Sequence, residues 1–291
     1  MLKAVVLGGQ KGLLGQALTA ALAASDKWEV TACAPGEFDY FSSGLHDDLS
    51  ARIDGLEPDC LFNAVAYTDV EGAEAREDHA MALNRRLPAV LAGIMKSRPT
   101  RLVHFSTDFV FDGRKNAPYT TDDEPHPLSA YGRSKLAGEY AILEAGISSY
   151  NIIRTAWLFG RGGKNFARNI FDRCRSVPEL KVVFDQVGSP TYTTDLAQHC
   201  VTLANLGIDG LFHIVNSGQA SWCELADEIV QCCQMECRII PVTGAEWPSK
   251  VQRPAYSVLD TSRFSNLSGQ IPRGWTQALR EFLMRDFQHG S

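Results

Sequence analysis

The feature that most constrains the fold is a glycine-rich turn that follows an apolar run at the start of the chain. Apolar residues dominate 2–7, and the turn GQKGLLG (9–15) then opens an amphipathic segment. The Gly-x-x-Gly-x-x-Gly spacing permits a tight turn, close approach of backbone amides to a pyrophosphate, and close packing of helix on strand. The residues that we predict to hold the diphosphate of a dinucleotide are Gly9, Gly12, Leu13, Leu14 and Gly15.

Segments typical of strands and of helices alternate through the first half of the chain. Apolar runs without polar alternation, as in strands covered on both faces, lie at 2–7, 28–34, 59–66, 101–106 and 150–159. Helical periodicity lies at 12–24, 79–97 and 129–145, and Gly146 follows the last of these as a left-handed cap. The alternation predicts an α/β fold with a Rossmann-type, doubly wound parallel sheet.

The alternation becomes less regular beyond about residue 160. SWCE (221–224) predicts a capping box and a helix to about 235, before a strand at 238–242, a loop at 247–256 and a helix near 275–287. We therefore expect a dinucleotide-binding domain over 1–160 and a smaller C-terminal α/β substrate-binding lobe over 161–291. Part of 181–206 is expected to return to the first domain.

Charge and cysteine content exclude several classes of protein. The net charge is -6, with acidic and basic residues interspersed, which does not favour nucleic acid or an anionic membrane as a partner. No apolar stretch is long enough to span a bilayer, and the eight cysteines contain no CxxC pair. Cys232, Cys233 and Cys237 lie near the end of an amphipathic helix, so we expect no metal there. These features predict a cytoplasmic protein.

A tyrosine and a lysine lie four residues apart at the start of a predicted helix, and therefore on one face. A ketone that accepts hydride needs a proton, which a phenol exchanges near neutral pH when a nearby ammonium stabilises the phenolate. Tyr131 and Lys135 fit these roles and are also expected cofactor contacts, since the same lysine can hold the nicotinamide ribose. Thr107, at the end of the fourth strand, can donate to a substrate carbonyl. The Tyr-x-x-x-Lys spacing is common by chance, so the order of turn, threonine and tyrosine carries the prediction.

The end of the second strand leaves the preferred nicotinamide cofactor open. It reads ACAP (32–35), without the acid that binds ribose hydroxyls or an arginine that would suit a 2′-phosphate. We expect NADPH or NADH, with Lys11 slightly favouring NADPH. The candidates for adenine and ribose contacts are Asp39, Tyr40, Val65, Ala66 and Tyr67, although plain strand ends explain these residues equally well.

These motifs resemble the extended short-chain dehydrogenase/reductase superfamily and, within it, the dTDP-4-dehydrorhamnose reductases. The resemblance extends along nearly the whole chain. Its segments are NAVAYTDVEGAE (63–74), Asn84, HFSTDFVFDG (104–113), PLSAYGRSKLAGE (127–139), RTAWLFG (154–160), GKNFARNI (163–170), DQVGSPTYTTDLA (185–197), GLFHIVNSGQASWCELA (210–226) and RPAYSVLDTSRF (253–264). The resemblance implies NAD(P)H-dependent reduction of dTDP-4-dehydro-L-rhamnose in deoxysugar and polysaccharide biosynthesis.

The resemblance also implies roles for individual residues. Tyr131 becomes the general acid, Lys135 its electrostatic partner and Thr107 the hydroxyl that binds the carbonyl. The expected substrate contacts are Thr107, Asp108, Trp157, Asn165 and Arg253, with Trp157 against the deoxysugar ring and Asn165 and Arg253 toward the diphosphate. A core tryptophan and a solvated loop arginine are the structural alternatives for Trp157 and Arg253.

The resemblance departs from its pattern at one metal site. Some relatives bridge subunits with Mg²⁺ through glutamates, one of which follows the last glycine of the turn. Gln16-Ala17 occupy that region in this chain, so Mg²⁺ is not expected.

Three other functions are compatible with a fold of this kind. A 4,6-dehydratase needs a carboxylate pair after the threonine, but Phe109 follows Asp108. A ketoreductase of another dTDP-deoxysugar stays open, because such sugars differ by single hydroxyls. A non-catalytic subunit similar to the regulatory subunit of methionine adenosyltransferase would not need Trp157. A dTDP-sugar is the expected partner, and the sequence leaves open whether the chain forms a homodimer.

Overall fold

The structure, a computed structural model, describes residues 1–247, 249 and 251–287. The strands in chain order are β1 (Leu2–Leu7), β2 (Trp28–Ala32), β3 (Cys60–Asn63), β4 (Arg101–Thr107), β5 (Tyr150–Thr155), β6 (Leu158–Phe159), β7 (Glu179–Val183), β8 (Val187–Gly188), β9 (Thr191–Tyr192), β10 (Gly210–His213), β11 (Ala220–Ser221) and β12 (Arg238–Val242). The α-helices are α1 (Leu13–Ala23), α2 (Leu45–Leu56), α3 (Val70–Ala75), α4 (Glu77–Met81), α5 (Leu87–Met95), α6 (Ala130–Ala145), α7 (Phe166–Cys174), α8 (Thr193–Leu206), α9 (Trp222–Cys232), α10 (Ser262–Ser268) and α11 (Trp275–Phe287).

A six-stranded parallel sheet forms the centre of the molecule, in the order β2-β1-β3-β4-β5-β10. The chain runs from β1 outward to β2 and then returns to β3 on the other side of β1. Loops that follow β1 and β3 therefore leave the sheet in opposite directions, and a crevice opens at its carboxyl edge. The predicted Rossmann-type parallel sheet is confirmed.

Helices cover both faces of this sheet, as its uninterrupted apolar strands require. On one face α1 and α8 pack together through residues that include Leu18 and Leu196, and α2, α5 and α6 cover the other face. The segment that returns to the sheet continues past α8, because β10 pairs with β5. The returning segment thus reaches His213, beyond the predicted limit at 206.

The remaining strands pair in twos near the carboxyl edge of the large sheet. β7 pairs in parallel with β12, β8 pairs in antiparallel fashion with β11, and β6 pairs in parallel with β9. An apolar core formed by α7, α9 and α11 packs on these strands. The division into two domains stays a prediction.

Among the described residues, no helix combines the length and the apolar character needed to cross a lipid bilayer.

Two predicted elements are interrupted in the structure. The strand predicted at 150–159 breaks into β5 and β6 because Trp157, between them, adopts a left-handed backbone with φ of 46°. The helix predicted at 79–97 consists of α4, a π-helical turn (Ala82–Arg86) and α5. Both interruptions lie beside the cavity or the loops that form it, where irregular backbone is often found.

Candidate active site

A cavity of about 480 Å³ opens at the carboxyl edge of the large sheet. The predicted site residues that line it are Gly12, Leu13, Leu14, Val65, Ala66, Thr107, Asp108, Tyr131, Lys135, Trp157 and Arg253. The predicted site residues outside this lining are Gly9, Gly15, Asp39, Tyr40, Tyr67 and Asn165. The fold therefore brings residues expected to bind the cofactor and residues expected to transfer the proton into one cavity.

The glycine turn lies at one end of the cavity. Gly15 has no room for a side chain, because a Cβ there would lie 2.1 Å from the Gly8 carbonyl oxygen. A Cβ on Gly9 would lie 2.8 Å from Thr19 Oγ1, so this glycine allows α1 to pack closely on β1. Gly12 is the N-cap of α1, and neither a capping side chain nor an acid in the first turn neutralises the positive end of the helix. This end of α1 suits a pyrophosphate.

Two of the residues predicted to contact adenine or ribose, Asp39 and Tyr40, differ in how they are exposed to solvent. Asp39 is exposed, and its Oδ1 accepts a hydrogen bond of 3.0 Å from the Phe41 amide. Tyr40 packs against the core formed by α2 and α5, beside Phe38. Their contact with adenine stays a prediction.

Asn84 connects the loop after β3 to the helix that carries the proton-transfer pair. It is fully buried on the π-helical turn, and its Oδ1 accepts from the Tyr67 amide at 2.9 Å. Its Nδ2 donates to the Tyr67 carbonyl at 3.0 Å and to Ser134 Oγ at 2.9 Å. Asn84 therefore fixes the spacing between these two walls of the site, a role that the sequence motif alone did not reveal.

The start of α6 is held in place from three sides. Ser129 Oγ accepts from the Gly132 amide at 3.1 Å, and the Glu74 carboxylate accepts from the Ala130 amide at 2.8 Å. Gly132 allows close contact with the turn that follows β4 (Asp108–Val110), because a Cβ there would lie 2.2 Å from the Phe109 carbonyl oxygen. These contacts seat the first turn of α6, and with it Tyr131, against the end of β4.

The phenol of Tyr131 is protonated at neutral pH in this environment. Burial raises the pKa of Tyr131 to about 12, while a hydrogen bond with Thr107 opposes the rise. Burial lowers the pKa of Lys135 to about 8, and the negative charge of Glu139 opposes that fall. Lys135 Nζ donates to the Phe105 carbonyl at 2.5 Å. The pair thus combines a proton donor with a buried ammonium on the same helix face.

A buried ion pair lies behind the lysine. Arg154 Nε and Nη2 contact the two carboxylate oxygens of Glu139 at 2.9 and 2.7 Å, and Ser106 Oγ donates to the same carboxylate. The bidentate geometry satisfies most of the bonding capacity of the carboxylate in a dry environment. It fixes the position of the negative charge next to Lys135.

Two stacked indoles form the opposite wall of the cavity. The rings of Trp157 and Trp222 lie 3.4 Å apart between centroids, with an interplanar angle of 4°. Trp222 also lines a neighbouring cavity of about 320 Å³. Trp222 was missed in the sequence because its position after the capping-box Ser221 indicates only the start of a helix. The stack covers one face of Trp157, and its contact with a sugar stays a prediction.

Arg253 reaches the cavity from the C-terminal loop. Its Nη2 lies 3.1 Å from Glu71 Oε1 on α3, and Ser249 Oγ donates to the same oxygen at 2.6 Å. The Ser249 hydrogen bond is the main cause of a lowered pKa of Glu71, and Arg253 adds to it against partial burial. The loop is thereby tied to the wall after β3, a contact that the sequence did not predict.

Asn165 has a structural role in α7. Its Oδ1 accepts from the Arg168 amide at 3.0 Å as the N-cap, and its Nδ2 donates to the Gly160 carbonyl at 2.9 Å. These bonds use both ends of the amide. A contact with the substrate diphosphate stays a prediction for this residue.

Gln16 occupies the position at which some relatives have a metal-binding glutamate. Its Nε2 donates to the carbonyl groups of Lys11 at 3.0 Å and Gly162 at 3.3 Å. Within 1–247, 249 and 251–287, no three His, Cys, Asp or Glu side chains are grouped to hold a metal ion.

The chain is similar over most of its length to several proteins named as reductases. It is 36% identical to a dTDP-4-dehydrorhamnose reductase from Mycobacterium tuberculosis, over 94% of this chain and 90% of the relative. It is 37% identical to a probable dTDP-4,6-dihydroxy-2-methyloxan-3-one 4-ketoreductase from Streptomyces antibioticus, over 95% of this chain and 93% of the relative. The crystal structure of dTDP-4-dehydrorhamnose reductase from Bacillus anthracis in complex with NADP superimposes with a TM-score of 0.91 at 28% identity, and covers 98% of this chain and 100% of that one. The model of the family described as RmlD substrate binding domain matches residues 3–287, and the chain belongs to this family.

Proposed function

We propose that this protein reduces dTDP-4-dehydro-L-rhamnose to dTDP-L-rhamnose with NADPH as the reductant. The observation that carries the proposal is the meeting of Tyr131, Lys135 and Thr107 in one cavity beside the glycine turn. Relatives named dTDP-4-dehydrorhamnose reductase, at 32–36% identity, support the same reaction.

The residues around the turn fit a nicotinamide dinucleotide. The uncapped amino end of α1 at Gly12 provides amide donors for the diphosphate, and Gly15 permits the close turn. Val65 and Ala66 line the cavity between the turn and β4. When bound, the nicotinamide supplies the hydride, and the NADP complex of the Bacillus anthracis reductase supports NADPH as the cofactor.

The chain's own residues supply the proton. Tyr131, whose raised pKa keeps it protonated at neutral pH, donates its proton to the sugar O4 as alkoxide charge develops. Lys135 stabilises the phenolate that remains, because its ammonium is buried on the same helix face. Thr107 binds the carbonyl oxygen and holds it within reach of the phenol.

The opposite wall is proposed to hold the sugar nucleotide. Trp157, backed by Trp222, provides an apolar surface for the deoxysugar, and Arg253 provides donors for the diphosphate. Asn165, and Asp108 through its bond with Thr107, complete the proposed substrate site. In this proposal residues 1–160, with α8 and β10, form the cofactor-binding domain, whose edge carries Thr107 and Trp157, and the rest of the chain forms the substrate-binding lobe.

A second candidate is the 4-keto reduction of another dTDP-deoxysugar. The Streptomyces antibioticus relative and a dTDP-4-keto-6-deoxy-D-glucose reductase from Streptomyces niveus, 37% and 36% identical to this chain, favour it. The two candidates share every proton-transfer residue and differ only in the sugar that the tryptophan wall accepts.

The decisive experiment is NADPH oxidation by the purified protein with a panel of dTDP-4-keto-6-deoxy sugars. We expect the rhamnose precursor to react with the highest kcat/KM. Faster reduction of another sugar would assign the second candidate, and no turnover with any sugar would favour a non-catalytic dinucleotide-binding subunit.

Cell fractionation would test the predicted cytoplasmic location, and light scattering would test whether the protein forms a homodimer.

A further inference from the structure

We infer that protonation of Asp108 reverses its hydrogen bond with Thr107 and so frees the Thr107 hydrogen for the substrate carbonyl. The inference rests on the proposed reductase function and deepens it. Asp108 acts through its neighbours in this scheme, and it is therefore a positioning residue.

Asp108 is a buried carboxyl group whose polar contacts are hydroxyls. Only 1% of the residue is exposed. Thr107 Oγ1 lies 3.0 Å from one carboxylate oxygen, and Ser257 Oγ donates to the other at 2.5 Å. Ser257 comes from the C-terminal loop, 149 residues away in the chain. A carboxylate held by neutral groups in a dry site takes up a proton more readily than an exposed one.

Thr107 has two hydrogen-bond partners, and a hydroxyl has one hydrogen and two acceptor positions. The partners are Asp108 at 3.0 Å and the Phe109 amide at 3.2 Å. When Asp108 is ionised, Thr107 donates its one hydrogen to the carboxylate and accepts from Phe109. The Thr107 hydrogen is then not available to the substrate carbonyl.

When Asp108 is protonated, the direction of its bond with Thr107 reverses. Asp108 then donates to Thr107, and the Phe109 amide fills the second acceptor position. The Thr107 hydrogen is released and becomes available to a carbonyl oxygen in the cavity. Thr107 then holds that oxygen while Tyr131 protonates it. The proton on Asp108 comes from solvent and stays on Asp108 during the reduction.

The titratable groups around Asp108 differ from it enough in pKa for Asp108 to change charge by itself. Burial raises the pKa of Asp108 to about 6, while the hydrogen bonds from Ser257 and Thr107 oppose the rise. On α6, Tyr131 has a pKa of about 12 and Lys135 a pKa of about 8, both because of burial. Burial holds the pKa of His104 on β4 well below its usual value and raises that of Tyr256 in the loop. Below the range in which Lys135 titrates, Asp108 is therefore the group that changes charge.

The first test is the pH dependence of kcat/KM for a dTDP-4-keto-6-deoxy sugar in wild type and Asp108→Asn. We expect the wild-type value to fall about tenfold between pH 6 and pH 7.5, because kcat/KM reports the ionisation of the free enzyme. The amide of Asp108→Asn imitates the protonated acid, since Ser257 holds its oxygen and its nitrogen donates to Thr107. This variant should be active and independent of pH until Lys135 titrates. An inactive but folded Asp108→Asn, or one with the wild-type profile, would overturn the inference.

The second test moves the ionisation without changing Asp108. Ser257→Ala removes a hydrogen bond that stabilises the carboxylate, so the pKa of Asp108 should rise and the fall in kcat/KM should move to higher pH. Ser189→Ala is the matched control, because Ser189 is equally buried and bonds the Leu259 amide of the same loop without touching Asp108. A profile unchanged by Ser257→Ala, or moved equally by Ser189→Ala, would contradict the inference.

A third measurement does not depend on turnover. The infrared difference spectrum between wild type and Asp108→Asn should contain a protonated-carboxyl band that disappears with rising pH, and that disappears at higher pH in Ser257→Ala. If wild type reduces no 4-keto sugar but this band titrates as described, the proposed function fails and the ionisation of Asp108 stands. If wild type reduces the sugar and no such band titrates, the inference fails alone.

Discussion

The two ends of the cavity are built in different ways. The cofactor end consists of β1, the glycine turn and α1, which are contiguous over residues 2–23. The sugar end, named for its proposed ligand, gathers Trp157, Trp222 and Arg253 from a helix and two separate loops, and Arg253 contacts Glu71 on α3. Local spacing therefore determines the first end, whereas the second depends on how the C-terminal segments pack. Substitutions at the two ends should consequently affect different measurements.

The largest effect is expected where the two ends meet, at Tyr131. Tyr131→Phe removes the proton donor and should reduce kcat by about two to four orders of magnitude. NADPH oxidation measures the loss, and NADPH binding should be unchanged because the turn is untouched. Tyr140→Phe is a matched control on the exposed side of the same helix. Turnover within severalfold of wild type in Tyr131→Phe would remove this residue from its proposed role.

A smaller effect, confined to the cofactor end, is expected for Gly15→Ala. Its Cβ would lie 2.1 Å from the Gly8 carbonyl oxygen, so the turn and α1 must separate. We expect the Kd of NADPH to increase by about a hundredfold, roughly the loss of two charge-assisted hydrogen bonds. Fluorescence titration measures the Kd of NADPH. Gly55→Ala in α2 is the control, because a Cβ on Gly55 meets nothing within 4 Å. Unchanged NADPH affinity would show that the turn does not hold the cofactor.

The corresponding change at the sugar end is Gly188→Ala. Its Cβ would lie 2.5 Å from the ring of Trp157, which must move away from its position on Trp222. We expect the KM for the sugar nucleotide to increase about tenfold, as for a misfitted apolar contact. The Kd of NADPH should stay the same. An equal effect on both ligands would contradict the independence of the two ends.

The smallest effect is expected for the contact that joins the ends, between Glu71 and Arg253. Half of the Glu71 side chain is exposed, so solvent screens the pair. A double-mutant cycle with Glu71→Ala and Arg253→Ala, followed by urea unfolding, should give a coupling energy of about 0.5 kcal/mol. A coupling of several kcal/mol would instead mean that the loop is part of the core.

The sequence predicted most accurately those structural features that residues close together in the chain determine. The apolar run at 2–7, the strand at 238–242, the left-handed Gly146 and the capping box of Ser221 all match the structure. Each is a local pattern in which propensity and burial favour the same structure. The meeting of Thr107, Tyr131 and Lys135 in one cavity was also predicted, because β4 and α6 place them at a known edge of the sheet, and their roles in proton transfer stay predictions.

Contacts between segments that are distant in the chain could not be predicted from the sequence. The bond of Ser257 to Asp108 joins residues 149 positions apart, and nothing in either local pattern indicates it. Helix α2 was missed, and its average hydropathy is near zero although Leu45, Leu49 and Ile53 form a buried face. The left-handed Trp157 was missed as well, because the run around it is apolar enough for an unbroken strand.

The left-handed backbone at Trp157 limits how this protein can be engineered for heat resistance. A bulky residue in this conformation costs about 1–3 kcal/mol, which glycine would recover. Glycine would also delete one of the two stacked rings. Thermostability and the proposed recognition of the sugar thus make opposing demands on residue 157, and stabilising substitutions should be sought at sites away from it.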